Sequence, residues 1–250
     1  MISQLLFDLD GTLTDPKEGI CKSVQYALRA FGIEEPDLDK LEPFIGPPLA
    51  DSFMEFYGMS RERAAEAIVK YRERFSVKGW SENVVYEGIP HMLKCLCDEG
   101  YTLAVASSKP TVFVERILEH FGLRDVFSIV VGSELDGRRT GKDEVIEETL
   151  RRLSEETDAV EQQDGGQPEK DAAQGFAQRF RDSVLMIGDR RFDVEGAHAH
   201  GMRCVGVSYG YAQPGELEEA HADFIVDSPE ELLALLKGMR ESGCGNRARP

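Results

Sequence analysis

The sequence predicts an α/β fold: a doubly wound, Rossmann-like parallel sheet with an α-helical cap inserted near its start. Three observations carry this. Short apolar runs alternate with helical stretches from about residue 90 onward. The first apolar run, at residues 3–7, is separated from the others by a block that shows helical periodicity only. Polar residues able to do chemistry follow several of the runs at their carboxyl ends. Strands alternating with helices require crossover connections, and these give a parallel sheet covered on both faces.

The elements follow in order. "QLLF" reads as a short buried strand. Asp15-Pro16 reads as a helix N-cap with proline at the first helical position. "KEGICKSVQYALRAFG" is helical and stops at Gly32. "GPPLADSFMEFYG" and "SRERAAEAIVKYRERFSVKG" give two more helices, each closed by a glycine. "HMLKCLCDEG" and "TVFVERILEHFG" flank the strand "YTLAVAS". "VFSIVVGS" is strand-like, and "KDEVIEETLRRLSEE" is helical. Strand "SVLMIGD", helix "DVEGAHAHG", strands "RCVGVS" and "DFIVD", and helix "PEELLALLKGM" complete the pattern. The expected division is a core over 1–15 and 85–242 and a helical cap over 16–84. Residues 154–182 are expected to form a mobile acidic insertion, with seven acids against one lysine between Ser154 and Asp171. Residues 243–250 read as a frayed tail.

Bulk properties exclude several classes. The chain has 250 residues, 41% hydrophobic content and a net charge of −17. Such a charge repels nucleic acid polymers and anionic membranes. No run approaches the roughly 20 apolar residues of a membrane span, and Asp8 and Asp10 interrupt the opening run, so no signal peptide is expected. Five scattered cysteines give neither zinc spacing nor a disulfide framework. A cytoplasmic protein is expected. Oligomeric state cannot be read from the chain.

In open α/β sheets the active crevice lies beyond the carboxyl ends of the strands. After the first strand come Asp8, Asp10 and Gly11. After the second come Ser107, Ser108 and Lys109. A loop after the third leads to Lys142. Asp189 and Asp193 follow "SVLMIG". Carboxylates this close repel unless a cation is held or chemistry is done on an anion.

"DLDGTLT", the serine pair, the isolated lysine and "GDRRFD" resemble the four motifs of the haloacid dehalogenase superfamily of phosphohydrolases. The helical block after the first motif resembles members with a small α-helical cap. "IGPPLADSF", "VYEGI", "SSKP" and "GSELDGRRTGK" resemble phosphoglycolate phosphatases and bacterial 5′-nucleotidase-like members. The resemblance implies hydrolysis of a small phosphomonoester, of the phosphoglycolate or nucleoside 5′-monophosphate type, through an aspartyl-phosphate on Asp8. Asp10 would serve as general acid and base. Lys142, Ser107 and the amides near Ser108, Leu9 and Gly11 would hold the phosphoryl oxygens. Asp8, Asp189 and the Asp10 backbone carbonyl would hold Mg2+, a cation suited to few carboxylates and several waters. Asp193 would fix the metal's waters or orient Lys142. "FIGPPL", Phe44–Leu49, is a candidate specificity loop.

Rival readings remain at this stage. A dehalogenase lacks the second aspartate, which Asp10 supplies. A sugar phosphomutase would share Asp8 and Asp10. A non-catalytic binding protein has no need of Asp8, Asp10, Lys142 and Asp189 together.

Overall fold

A computed structural model gives the fold and describes residues 2–163 and 180–244. The main sheet has six parallel strands in the order β5-β4-β1-β6-β7-β8. These are β1 (Gln4–Phe7), β4 (Thr102–Pro110), β5 (Ile129–Ser133), β6 (Val184–Gly188), β7 (Arg203–Val207) and β8 (Phe224–Val226). Strand β1 lies near the centre, paired with β4 on one side and β6 on the other. The chain winds outward both ways from β1, so the crevice at its carboxyl end is a switch point of the topology.

Each strand is apolar on both sides because helices cover both faces. Leu5, Phe7, Leu103, Val105, Leu185 and Ile187 pack one face, with α4 (Ile89–Asp98), α5 (Thr111–His120) and the last helix, Pro229–Cys244. Leu6, Ala104, Ala106 and Met186 pack the other, with α6 (Lys142–Gln163) and the helix Arg191–Ala199.

Between β1 and α4 lies the helical segment: α1 (Lys17–Ala30), a 3-10 turn Asp39–Phe44, α2 (Leu49–Tyr57) and α3 (Arg61–Phe75). It has its own apolar cluster, including Ile20, Val24, Phe44, Phe53, Tyr71 and Phe75. Phe113 of α5 joins that cluster and meets Phe75 edge-on, ring centres 5.1 Å apart. The two passages into the segment pair with each other: β2 (Thr14–Asp15) and β3 (Val84–Val85) form a small antiparallel ribbon. No described helix is long and apolar enough to cross a membrane.

Several element boundaries differ from expectation. Pro16 occupies the N-cap slot rather than the first helical position, while the Asp15 carboxylate accepts the Lys17 N–H at 2.9 Å. Helix α3 ends at Phe75, short of the expected glycine. Gly79 serves instead a close crossing with α1, where an added Cβ would lie 2.7 Å from Ser23 Oγ. The helical block also contains 3-10 turns at Asp39–Phe44 and Gly79–Ser81. Strand β4 continues through Ser107, Ser108 and Lys109 to Pro110, its register against β5 shifting between Ala106 and Pro110.

Helix α6 runs to Gln163, ten residues into the segment 154–182 expected to be mobile. The physical reason is that "SEETDAVEQQ" contains good helix formers and no breaker, the first being Gly165. Phe180, at the far end of that segment, packs into the sheet. The remainder of the insertion, 164–179, lies outside the described residues. The last helix reaches Cys244, within the expected tail, and 245–250 lie outside the described residues.

Candidate active site

The carboxyl end of β1 opens into a cavity of about 490 Å³. Asp8, Asp10, Ser107, Ser108 and Lys109 line its sheet side, and Phe44, Pro47, Pro48, Tyr71 and Phe75 line its helical side. Asp8 continues the strand, its N–H donating to the Ile187 carbonyl at 2.9 Å. Leu9 points into the core, fully buried, so Asp8 and Asp10 emerge together into the cavity. Gly11 then turns the chain with φ +83°. An added Cβ at this position would lie 2.0 Å from Asp189 Oδ2, so the turn is open only to glycine.

Lys142, the first residue of α6, is buried and reaches three oxygens. Its Nζ lies 3.0 Å from Asp8 Oδ1, 2.7 Å from Asp193 Oδ1 and 3.0 Å from the Ala106 carbonyl. Burial works against its charged form, but Asp193 and Asp8 outweigh that and hold its pKa above the ordinary lysine value. Asp193 also accepts the Arg190 N–H at 3.0 Å, which caps the helix Arg191–Ala199. Both oxygens of Asp193 are thus engaged, and the residue orients Lys142 while capping a helix.

Asp189 is fully buried at the end of β6. Thr12 Oγ1 donates to its Oδ1 at 3.3 Å, and the Tyr211 N–H donates to its Oδ2 at 2.8 Å. Burial, followed by the charges of Asp193 and Asp8, pushes its pKa well above the usual carboxylate range. Carboxylate oxygens of Asp8, Asp189 and Asp193 lie within 4.8 Å of one another. Three buried acids against one lysine leave negative charge uncompensated, and an oxygen-seeking divalent cation fits that donor set. Asp8 meets Lys142 through Oδ1, and Asp189 is held only by the neutral donors of Thr12 and Tyr211, so these two carry the charge such a cation would meet.

Asp10 stands apart from this cluster. Its Oδ2 pairs with Lys109 Nζ at 2.9 Å, and its Oδ1 is buried without a hydrogen-bond partner among the described residues. Burial raises its pKa and Lys109 opposes the rise; the net shift is upward. Lys109 in turn stands over the Phe75 ring, 4.5 Å from its centre. Ser107 is buried, its Oγ accepting the Lys109 N–H at 3.4 Å, and the Ser108 carbonyl accepts from Ser133 Oγ at 2.7 Å.

The structure therefore brings all of Asp8, Asp10, Gly11, Ser107, Ser108, Lys142, Asp189 and Asp193 to one sheet edge. Sequence reasoning gave Lys109 only a subordinate place. It missed Thr12 and Tyr211, and Tyr211 also donates its hydroxyl to Asp15 at the ribbon. The available signal was position: "SYGY" follows β7 at the same carboxyl edge.

Comparisons with known proteins agree. Residues 5–207 match the haloacid dehalogenase-like hydrolase family. A 5′-nucleotidase of Pseudomonas aeruginosa is 47% identical, over 95% of this chain and 93% of its own. Tyrosine-protein kinase PtkA of Mycobacterium tuberculosis is 36% identical over 88% of this chain but 64% of its own length. Among solved structures, a predicted phosphatase from Clostridium acetobutylicum superposes with a TM-score of 0.82 at 42% identity, covering 95% of this chain and 99% of that one. The chain belongs to the haloacid dehalogenase-like hydrolases. Within that family it is a phosphatase.

Proposed function

We propose that the chain is a magnesium-dependent phosphatase acting on small phosphomonoesters, nucleoside 5′-monophosphates foremost, in the cytoplasm. Residues 1–15 and 85–242 form the catalytic core and 16–84 the cap. The carrying observation is the convergence of Asp8, Asp10 and Lys109 on one cavity beneath aromatic side chains of the helical segment, with buried Lys142 paired to Asp8. The aromatic rim, Phe44, Tyr71 and Phe75, suits a nucleobase better than a glycolate, and the 47% identical relative is named a 5′-nucleotidase.

Asp8 and Asp189, with the Asp10 carbonyl, would hold Mg2+, which when bound would offset the charge of the phosphoryl group. An Asp8 carboxylate oxygen attacks phosphorus and the ester P–O bond breaks. Asp10, whose pKa burial raises, gives a proton to the leaving oxygen. Ser107 and the amides near Ser108, Leu9 and Gly11 donate to the phosphoryl oxygens, and Lys142 offsets their charge. Water then attacks the aspartyl-phosphate, Asp10 takes its proton, and Asp8 leaves as carboxylate.

The test is phosphate release from a panel of nucleoside 5′-monophosphates, phosphoglycolate and p-nitrophenyl phosphate with Mg2+. Turnover by the unsubstituted chain and none by Asp8→Asn are expected. Equal turnover by both would exclude Asp8 as nucleophile.

A further inference from the structure

Arg190 follows Asp189 in the chain, and its side chain has had no part in the chemistry above. It is 9% exposed, yet its guanidinium is engaged on two sides. Nε donates to Glu216 Oε1 at 2.9 Å, and Nη1 donates to the carbonyl of Ile45. Ile45 is 145 residues away, in the segment Phe44–Leu49 that lines the cavity. Glu216 is itself fixed: Oε1 also accepts the Arg191 N–H, and Oε2 accepts the Gln213 N–H, both at 2.9 Å. Burial disfavours its charge, but those donors outweigh burial and keep the carboxyl below its usual range. A second feature points the same way. Gly46 has φ +104°, and an added Cβ there would lie 3.0 Å from Arg190 Nη1 and 3.1 Å from its Cγ. The loop is hollowed where the arginine lies.

We propose that Arg190 is a latch, a positioning residue on the core that seats the loop Phe44–Leu49 over the reaction centre and thereby sets which leaving groups are accepted. It touches no reacting atom. A rigid fork pulls one carbonyl of the loop toward the strand end that carries Asp189. When the latch is released, the phosphoryl site remains but the wall facing the leaving group is no longer held. A large leaving group depends on that wall more than a small one does.

The kinetic part of this inference rests on the phosphatase reading; the seating part does not. The decisive measurement is amide hydrogen exchange of the segment 44–50 in the full chain without substrate, for the unsubstituted protein, Arg190→Met and the isosteric Glu216→Gln. Exchange about tenfold faster in Arg190→Met, and a smaller change of the same sign in Glu216→Gln, are expected. In turnover, KM for a nucleoside 5′-monophosphate rises about tenfold in Arg190→Met, while KM for p-nitrophenyl phosphate rises less. Unchanged exchange in both folded variants overturns the latch. So does a fall in kcat alone with KM unmoved, which would place Arg190 in the metal region instead. If the unsubstituted chain hydrolyses no phosphomonoester, the phosphatase reading fails, and the exchange result still decides whether the loop is latched.

Discussion

Two carboxylates two positions apart, Asp8 and Asp10, occupy different electrostatic worlds. Asp8 pairs with Lys142 beside two further acids; Asp10 pairs with Lys109, one of its oxygens having no hydrogen-bond partner among the described residues. That split separates a nucleophile from a proton carrier. Asp10→Asn therefore has a leaving-group signature. Hydrolysis of a nucleoside 5′-monophosphate, whose alkoxide needs a proton, falls about 10²- to 10⁴-fold. Release of p-nitrophenol in a single turnover falls far less, because that leaving group departs without a proton. Equal losses for both esters would remove Asp10 from the role of acid. The aspartates were legible in the sequence because an apolar strand runs straight into them. Lys109 was harder to weigh, because its partner and the ring of Phe75 beneath it come from distant segments.

At the scale of elements, the strand ends position everything and the turns between them set the tolerances. The β1 turn passes so close to β6 that Gly11 nearly touches Asp189. Gly11→Ala must therefore displace the Asp189 carboxylate or distort the turn. Activity is expected to fall at least about 10²-fold, with the half-saturating Mg2+ concentration raised and far-ultraviolet circular dichroism preserved. An unchanged Mg2+ dependence would separate the turn from the metal site. Alternating strands and helices announced the sheet because period-2 and period-3.6 patterns are local. The ends of elements were less legible. Ser108 and Pro110 look like loop residues, yet β4 runs through them because Ser133 of β5 donates to the Ser108 carbonyl and the Thr111 hydroxyl bonds Gly132 and Ser133 of β5. Helix α6 continues past Ser154 because acidic composition alone does not break a helix.

For the whole molecule, the site is a stability cost offset by function. Burial above all raises the Asp193 carboxyl from 3.8 to about 6, with Lys142 opposing. The folded chain holds that proton up to about pH 6, while the unfolded chain releases it near 3.8. Stability from this group is fully present below about pH 4 and is lost as pH rises toward 6. The loss is at most about 3 kcal/mol. Urea unfolding of the metal-free protein between pH 4 and 7 is expected to show this decline, and Asp193→Asn to make it shallower, Asp10 and Asp189 still contributing in the same direction. Parallel curves for the two proteins would contradict the burial argument. Added Mg2+ at about a hundred times its Kd is expected to restore about 3 kcal/mol at pH 7. The convergence of four segments was legible as a resemblance between motifs. The long-range ties, Arg190 to Ile45 and Tyr211 to Asp15, were not, because each joins residues more than a hundred positions apart without a shared pattern.

Trapping the phosphoenzyme tests the central claim most directly. The protein is mixed with p-nitrophenyl phosphate and Mg2+, quenched in acid within one turnover, digested and mapped by mass spectrometry. A single phosphoryl group on Asp8, in the peptide spanning 4–15 and absent from Asp8→Asn, is the expected result. Turnover with no phosphoryl group on that peptide, or with one on another residue, would contradict the account.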